Sequence, residues 1–157
     1  KYQFEKCENR DIQLLTEEMN RVDDPHRKEK TYFISGHRNI TEEQFEKYKE
    51  VLYNVAVYND TSCFVVGDYN GVDIMAQDYL MDVLEIEPDR ITVYHMFDEP
   101  RNCNPKIINK VGGFQSDDER DEAMTKNSSF DIAFVRDNNI ITGTGKNILR
   151  RNLLAIL

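Results

Sequence analysis

Apolar residues in this chain alternate between short continuous runs and longer stretches in which they recur at helical spacing. The run Thr31-Tyr32-Phe33-Ile34-Ser35 halts at Gly36 and predicts a strand. Thr41 and Gln44 then have the spacing of a capping box, ahead of Phe45, Tyr48, Leu52 and Val55 on one helical face. Cys63-Phe64-Val65-Val66 predicts a second buried strand, halting at Gly67. Val72, Met75, Ala76, Tyr79, Leu80 and Val83 predict an amphipathic helix that stops before Pro88. Arg90-Ile91-Thr92-Val93-Tyr94 is a third strand. Residues 97–115, with two prolines, two glycines and little periodicity, read as one long loop. Ser116 and Glu119 open a further helix through about Asn127, and Phe130-Asp131-Ile132-Ala133-Phe134-Val135 forms the next strand. Thr142-Gly143-Thr144-Gly145 leads into a final helix carrying Ile148, Leu149, Leu153 and Leu157.

Continuously apolar strands alternating with helices indicate a mostly parallel sheet covered on both faces. The expected fold is α/β, Rossmann-like and doubly wound. Residues 1–30 stand apart as an N-terminal extension, partly helical around Ile12, Leu15 and Met19, with Pro25 in a loop-like run from Asp23 to Arg27. That extension either packs on the domain or a partner, or is a partly ordered terminus. Residues 31–157 form the domain proper.

The 157 residues suit one domain with a substantial core. A net charge of -9 opposes a nucleic-acid or anionic-membrane partner. No stretch approaches the ~18 apolar residues of a membrane span, and Lys1-Tyr2-Gln3-Phe4-Glu5 is not the apolar core of a secretory signal. Three widely spaced cysteines, Cys7, Cys63 and Cys103, form no metal-binding pattern, and a reducing, cytoplasmic compartment is expected.

Chemistry is expected beyond the carboxyl ends of the strands, where glycines let backbone approach a ligand and helix N-termini attract anions. Three junctions carry such residues: Ser35-Gly36-His37-Arg38-Asn39, Gly67-Asp68-Tyr69-Asn70-Gly71-Val72-Asp73, and Thr142-Gly143-Thr144-Gly145-Lys146-Asn147. Lys146 sits in a segment without acidic residues, which suggests a phosphate site. His37 is a ligand donor or general acid. Arg38 is an anion grip or a salt-bridge partner of the first helix. Asp73 is a ribose ligand or a helix-capping residue, and Asp68 a ribose ligand or general base. Glu119 is a capping-box partner or a catalytic carboxylate. Arg120 gains nothing from the dipole at a helix N-terminus, which makes it a functional candidate. The run from Asp117 to Glu122 reads as a solvated helix start, and no metal or other cofactor is expected.

Gly67-Asp68-Tyr69-Asn70-Gly71-Val72-Asp73-Ile74-Met75-Ala76 resembles the G-x-x-x-G-[IV]-D-x-x-A motif of the SLOG superfamily, which joins DNA-processing protein A and the Lonely Guy proteins. Ser35-Gly36-His37-Arg38 is similar to that group's first-strand signature, and Glu119-Arg120-Asp121-Glu122-Ala123-Met124 to the E-R-x-x-x-M segment of Lonely Guy proteins. Gly143-Thr144 would match the G-T of their phosphate loop. The resemblance implies a domain that binds a nucleotide, a nucleotide derivative or a sugar phosphate, as a sensor, carrier or sequestering module, and that self-associates. Its alternative implication is hydrolysis of an N-glycosidic bond, with the family's arginine carried onto Arg120. The family's catalytic glutamate falls on Asn147, which cannot act as a base, so Asp68, Glu119 or Asp73 would have to replace it.

Overall fold

A computed structural model describes residues 3–4, 25–133, 147 and 151. The strands β1 (Gln3–Phe4), β2 (Thr31–Ser35), β3 (Cys63–Val66), β4 (Ile91–Met96), β5 (Lys110–Phe114) and β6 (Phe130–Ala133) form one sheet in the order β1-β5-β4-β3-β2-β6. From β5 to β6 all pairings are parallel, and β1 adds antiparallel at the β5 edge. The helices are α1 (Pro25–Glu29), α2 (Glu42–Tyr58), α3 (Val72–Asp78) and α4 (Asp117–Lys126). The expected α/β, Rossmann-like architecture is therefore present.

Alternate residues of each strand face opposite ways, and each face has its own core. Ile34, Phe64, Val66, Ile91 and Val93 pack under α2 and α3, against Phe45, Leu52, Val72 and Ala76. Phe33, Val65, Tyr94 and Met96 pack on the other face against Ala123 and Met124 of α4. Burial on both sides is why these strands are apolar without alternation. The capping box of α2 forms as its spacing required, with Thr41 Oγ1 accepting from Gln44 N–H and Gln44 Oε1 accepting from Thr41 N–H, both at 3.1 Å.

Two readings of the sequence are corrected. Residues 97–115 are not a continuous loop, because Lys110–Phe114 pairs with β4 as β5. The strand was hidden by Gly112 and Gly113, which lower strand propensity. Gly112 is required by packing: a Cβ there would stand 2.2 Å from the ring of the buried His95. Likewise Pro25 does not sit in a loop but opens α1, where its missing N–H is no loss. The helix after Gly71 loosens into a wider turn over Tyr79–Val83, closed by Leu84 N–H donating to the Tyr79 carbonyl. The predicted helix around Ile12 and the final helix from Ile148 lie outside the described residues, as does the end of the strand beyond Ala133. Among the described residues no helix is long and apolar enough to cross a membrane.

The chain moves outward from β2 through β3 and β4 to β5, then returns to place β6 on the other side of β2. The sheet order reverses there, which is where open α/β sheets leave a crevice beyond their carboxyl ends. The Tyr48 hydroxyl ties the two strands together at that point, donating to the Ser35 carbonyl at 2.9 Å and contacting the Ile132 carbonyl.

Candidate functional site

A crevice of about 340 Å³ opens at this reversal. Gly36, His37 and Arg38 line it from the end of β2, and Gly67, Asn70 and Asp73 from the end of β3 and the start of α3. Arg120 comes from α4, and Asn147 completes the set. These residues, distant in sequence, are brought to one place. Gly143, Thr144, Gly145 and Lys146 lie outside the described residues.

The glycines at these junctions are thin walls. Gly71 has φ +77°, in the region that favours glycine, and a Cβ there would stand 2.4 Å from both Arg38 Cα and the His37 carbonyl oxygen. That carbonyl accepts from Val72 N–H at 3.1 Å, so the turns after β2 and β3 are packed backbone against backbone. At Gly67 a Cβ would stand 2.6 Å from Asp73 Oδ2 and 3.0 Å from Arg120 Cζ, so the absent side chain makes room for this charged pair.

Behind the crevice is a dense ion network. Asp68, with 0% of its surface exposed, accepts from Arg101 N–H at 2.9 Å, Arg101 Nε at 3.2 Å, Arg101 Nη2 at 2.8 Å and Arg120 Nη1 at 2.8 Å. Burial works to raise its pKa, but the Arg101 hydrogen bonds and the Arg120 charge prevail and hold it below the usual carboxylate range. Arg120 is only 4% exposed. It donates through Nε and Nη2 to Asp121 Oδ1, at 3.0 and 2.8 Å, and Asp117 Oδ1 lies 3.2 Å from its Nη1. Burial alone would lower its pKa, yet Asp121 and Asp73 raise it, so it is a permanent cation. Asp68 does not line the crevice; it anchors the arginines that do the lining or support it.

Asp73 differs from Asp68. Among the described residues it accepts one hydrogen bond, on Oδ2, from Tyr69 N–H at 3.2 Å. Burial pushes its carboxyl up to about 7, against the pull of Arg120. A carboxyl poised near neutrality in a cleft is where proton transfer or pH-dependent recognition is found. It also has a stability consequence. Between the unfolded value near ~3.9 and the folded value of about 7, the native state holds a proton that the unfolded chain releases. Stability is therefore lost as pH rises through this window, and the whole penalty is present above about 7. Asp73→Asn carries no such penalty and is expected to melt several degrees above the parent at pH 8, with the gap closing toward pH 5. A gap that is constant over a pH series of thermal melts would contradict this.

Glu119 accepts from Gln115 N–H at 3.3 Å while its own N–H donates to Ser116 Oγ at 3.1 Å. It serves the start of α4 and does not line the crevice. Ser35 and Tyr69, inside those junctions but given no role from the sequence, also line it, and sequence reasoning missed Asp117 and Asp121. The last two share one face of α4 with Arg120 and Met124, a helical spacing that turns them toward the crevice, Asp121 buried and Asp117 half-exposed. It also missed Arg101, which lies over the Tyr69 ring at 4.4 Å from its centroid. Arg38 lies over the same ring at 5.0 Å, and its Nη1 donates to Tyr69 Oη at 2.8 Å. Among the described residues Arg38 has no ion pair, unlike Arg101 and Arg120. No group of three His, Cys, Asp or Glu side chains among the described residues is arranged to hold a metal ion.

The chain matches no family model, no curated protein and no solved structure.

Proposed function

We propose that the crevice binds a nucleotide, a nucleotide derivative or a sugar phosphate, and that the domain works as a sensor, carrier or sequestering module. The observation that carries this reading is Arg38. It is a guanidinium at the rim of a glycine-walled crevice, with no carboxylate partner and one hydrogen bond, to Tyr69, among the described residues. Its planar fork suits a phosphate. The place of the crevice at the reversal of strand order supports the same reading. So does the resemblance of Gly67–Ala76 to the SLOG motif.

Hydrolysis of an N-glycosidic bond is the second reading, and one observation favours it: Asp73 lines the crevice with a carboxyl that can take or give a proton near pH 7. Of the carboxylates that could replace the missing glutamate, Asp68 is held by two arginines and Glu119 lies outside the crevice, which leaves Asp73.

The test is a thermal-shift panel of nucleoside monophosphates, ribose 5-phosphate, ADP-ribose and cyclic nucleotides, with mass spectrometry of each incubated ligand. A ligand at about 100 times its Kd adds ~2.7 kcal/mol and should raise Tm by about 5–10 °C in a domain of this size. The expected result is a shift with the ligand recovered intact. Released base, lost in Asp73→Asn, would favour the hydrolase. No shift with any member would contradict both readings.

A further inference from the structure

The deep wall of the crevice is unlike its rim. Asp73 and Asp121, both buried, line it, with Asp68 directly behind. The cation among them, Arg120, already serves Asp68, Asp117 and Asp121. A phosphate placed here would meet carboxylates and a neutralised guanidinium, so it belongs at the rim with Arg38. The deep wall suits a neutral group that donates hydrogen bonds. Two side chains wait for one. Ser35 Oγ is buried, in a residue only 5% exposed, and has no hydrogen-bond partner among the described residues. A buried hydroxyl of that kind is costly to leave unpaired, and the crevice it lines is the place from which a partner can come. Asp73, which lines the same crevice, has acceptor capacity beyond its single bond from Tyr69.

Building on the reading above, we infer that Asp73 and Ser35 recognise the vicinal hydroxyls of a pentose, so that the ligand is a ribonucleotide rather than a deoxyribonucleotide, held with its sugar deep and its phosphate at Arg38. An ionised carboxylate accepts from a diol through both oxygens, and the serine hydroxyl can donate or accept beside it. The specificity then lies in the sugar, because a site built to hydrogen-bond a hydroxyl strongly rejects the analogue lacking it.

The experiment is calorimetric titration of the four ribonucleoside monophosphates and of their 2′,3′-dideoxy counterparts, at pH 6 and pH 8. The expected result is that the dideoxy form binds at least about tenfold more weakly at pH 8, and that this discrimination shrinks severalfold at pH 6, where Asp73 is protonated. The ratio isolates the sugar contact. Asp73 is surrounded by Arg120, Asp117 and Asp121 of α4 and by Asp68 and the Tyr69 N–H of the turn after β3. His37 and Arg38 face it from the turn after β2, and the Tyr48 hydroxyl from α2. The second ionisation of the phosphate acts on both ligands alike and cancels in the ratio.

In Asp73→Asn the discrimination should fall to about threefold or less and lose its pH dependence, and Ser35→Ala should lower it without changing the pH profile. Equal binding of ribo and dideoxy forms, or a discrimination that is the same at both pH values in the unmodified protein, would overturn the inference while leaving the nucleotide-binding reading in place. Absence of binding by any monophosphate would overturn both.

Discussion

Asp68→Ala is expected to lower the melting temperature by about 10 °C, the largest effect of any substitution near the crevice. Asp68 is fully buried and receives four hydrogen bonds from Arg101 and Arg120. The side chain of Arg120 is 5% exposed, so it cannot regain water when its partner is removed. Breaking a buried pair from one side typically costs about 3–5 kcal/mol, because a desolvated charge is left behind; Arg120 keeps Asp121 and Asp117, which places the cost at the lower end. In a domain of this size each kcal/mol moves Tm by roughly 2–4 °C. The control is Asp117→Ala, whose carboxylate also meets Arg120 and Arg101 but has a side chain 46% exposed. Solvent screening leaves that contact about 1 kcal/mol or less, so its Tm should fall by no more than about 3 °C. Equal losses in the two variants would mean that Asp68 does not anchor the network.

Gly71→Ala is expected to damage stability and ligand binding together. The backbone at φ +77° is poor for an L-residue, with a strain of about 1–3 kcal/mol. The added Cβ would also strike Arg38 Cα and the His37 carbonyl oxygen at 2.4 Å, and both struck atoms are backbone, so no rotamer change relieves the clash. The turn after β2 must move, and it carries His37 and Arg38. A Tm lowered by at least about 5 °C, with nucleotide affinity weakened more than tenfold in whatever remains folded, is the expected outcome. Unchanged affinity in a destabilised variant would separate the turn from the binding site and contradict the role given to Arg38.

Much of the fold was legible because its signals are local. β2, β3 and β4 are short, mostly apolar runs, and α2 announces itself by Thr41 and Gln44 at capping-box spacing. β5 was not legible, since the need for Gly112 is set by the ring of His95 on a neighbouring strand. The same division runs through the candidate site. Glycines at the ends of β2 and β3 could be read from the sequence, because a glycine after a buried strand already signals a close backbone approach. The clamp of Arg101 on Asp68 could not, because nothing in the sequence between them, across a separation of 33, indicates that the two meet. Arg120 stood out as a cation at the wrong end of a helix. Its actual setting, among Asp68, Asp117 and Asp121, depends on which face of α4 turns inward. Asp117 and Asp121 were for that reason read as solvated, although they line the crevice.

The central claim is that the crevice holds a phosphorylated nucleoside or sugar through Arg38. Its most direct test is titration calorimetry of the intact protein and of Arg38→Ala with the nucleoside monophosphate that gives the largest thermal shift. Arg38 is exposed, and its one hydrogen bond among the described residues is to Tyr69, so its removal should barely alter Tm. The expected result is saturable binding to the parent and affinity at least tenfold weaker in Arg38→Ala, in line with the ~1.5–3 kcal/mol of a hydrogen bond to a charged group. Affinity unchanged by the substitution, or no binding to the parent, would contradict it.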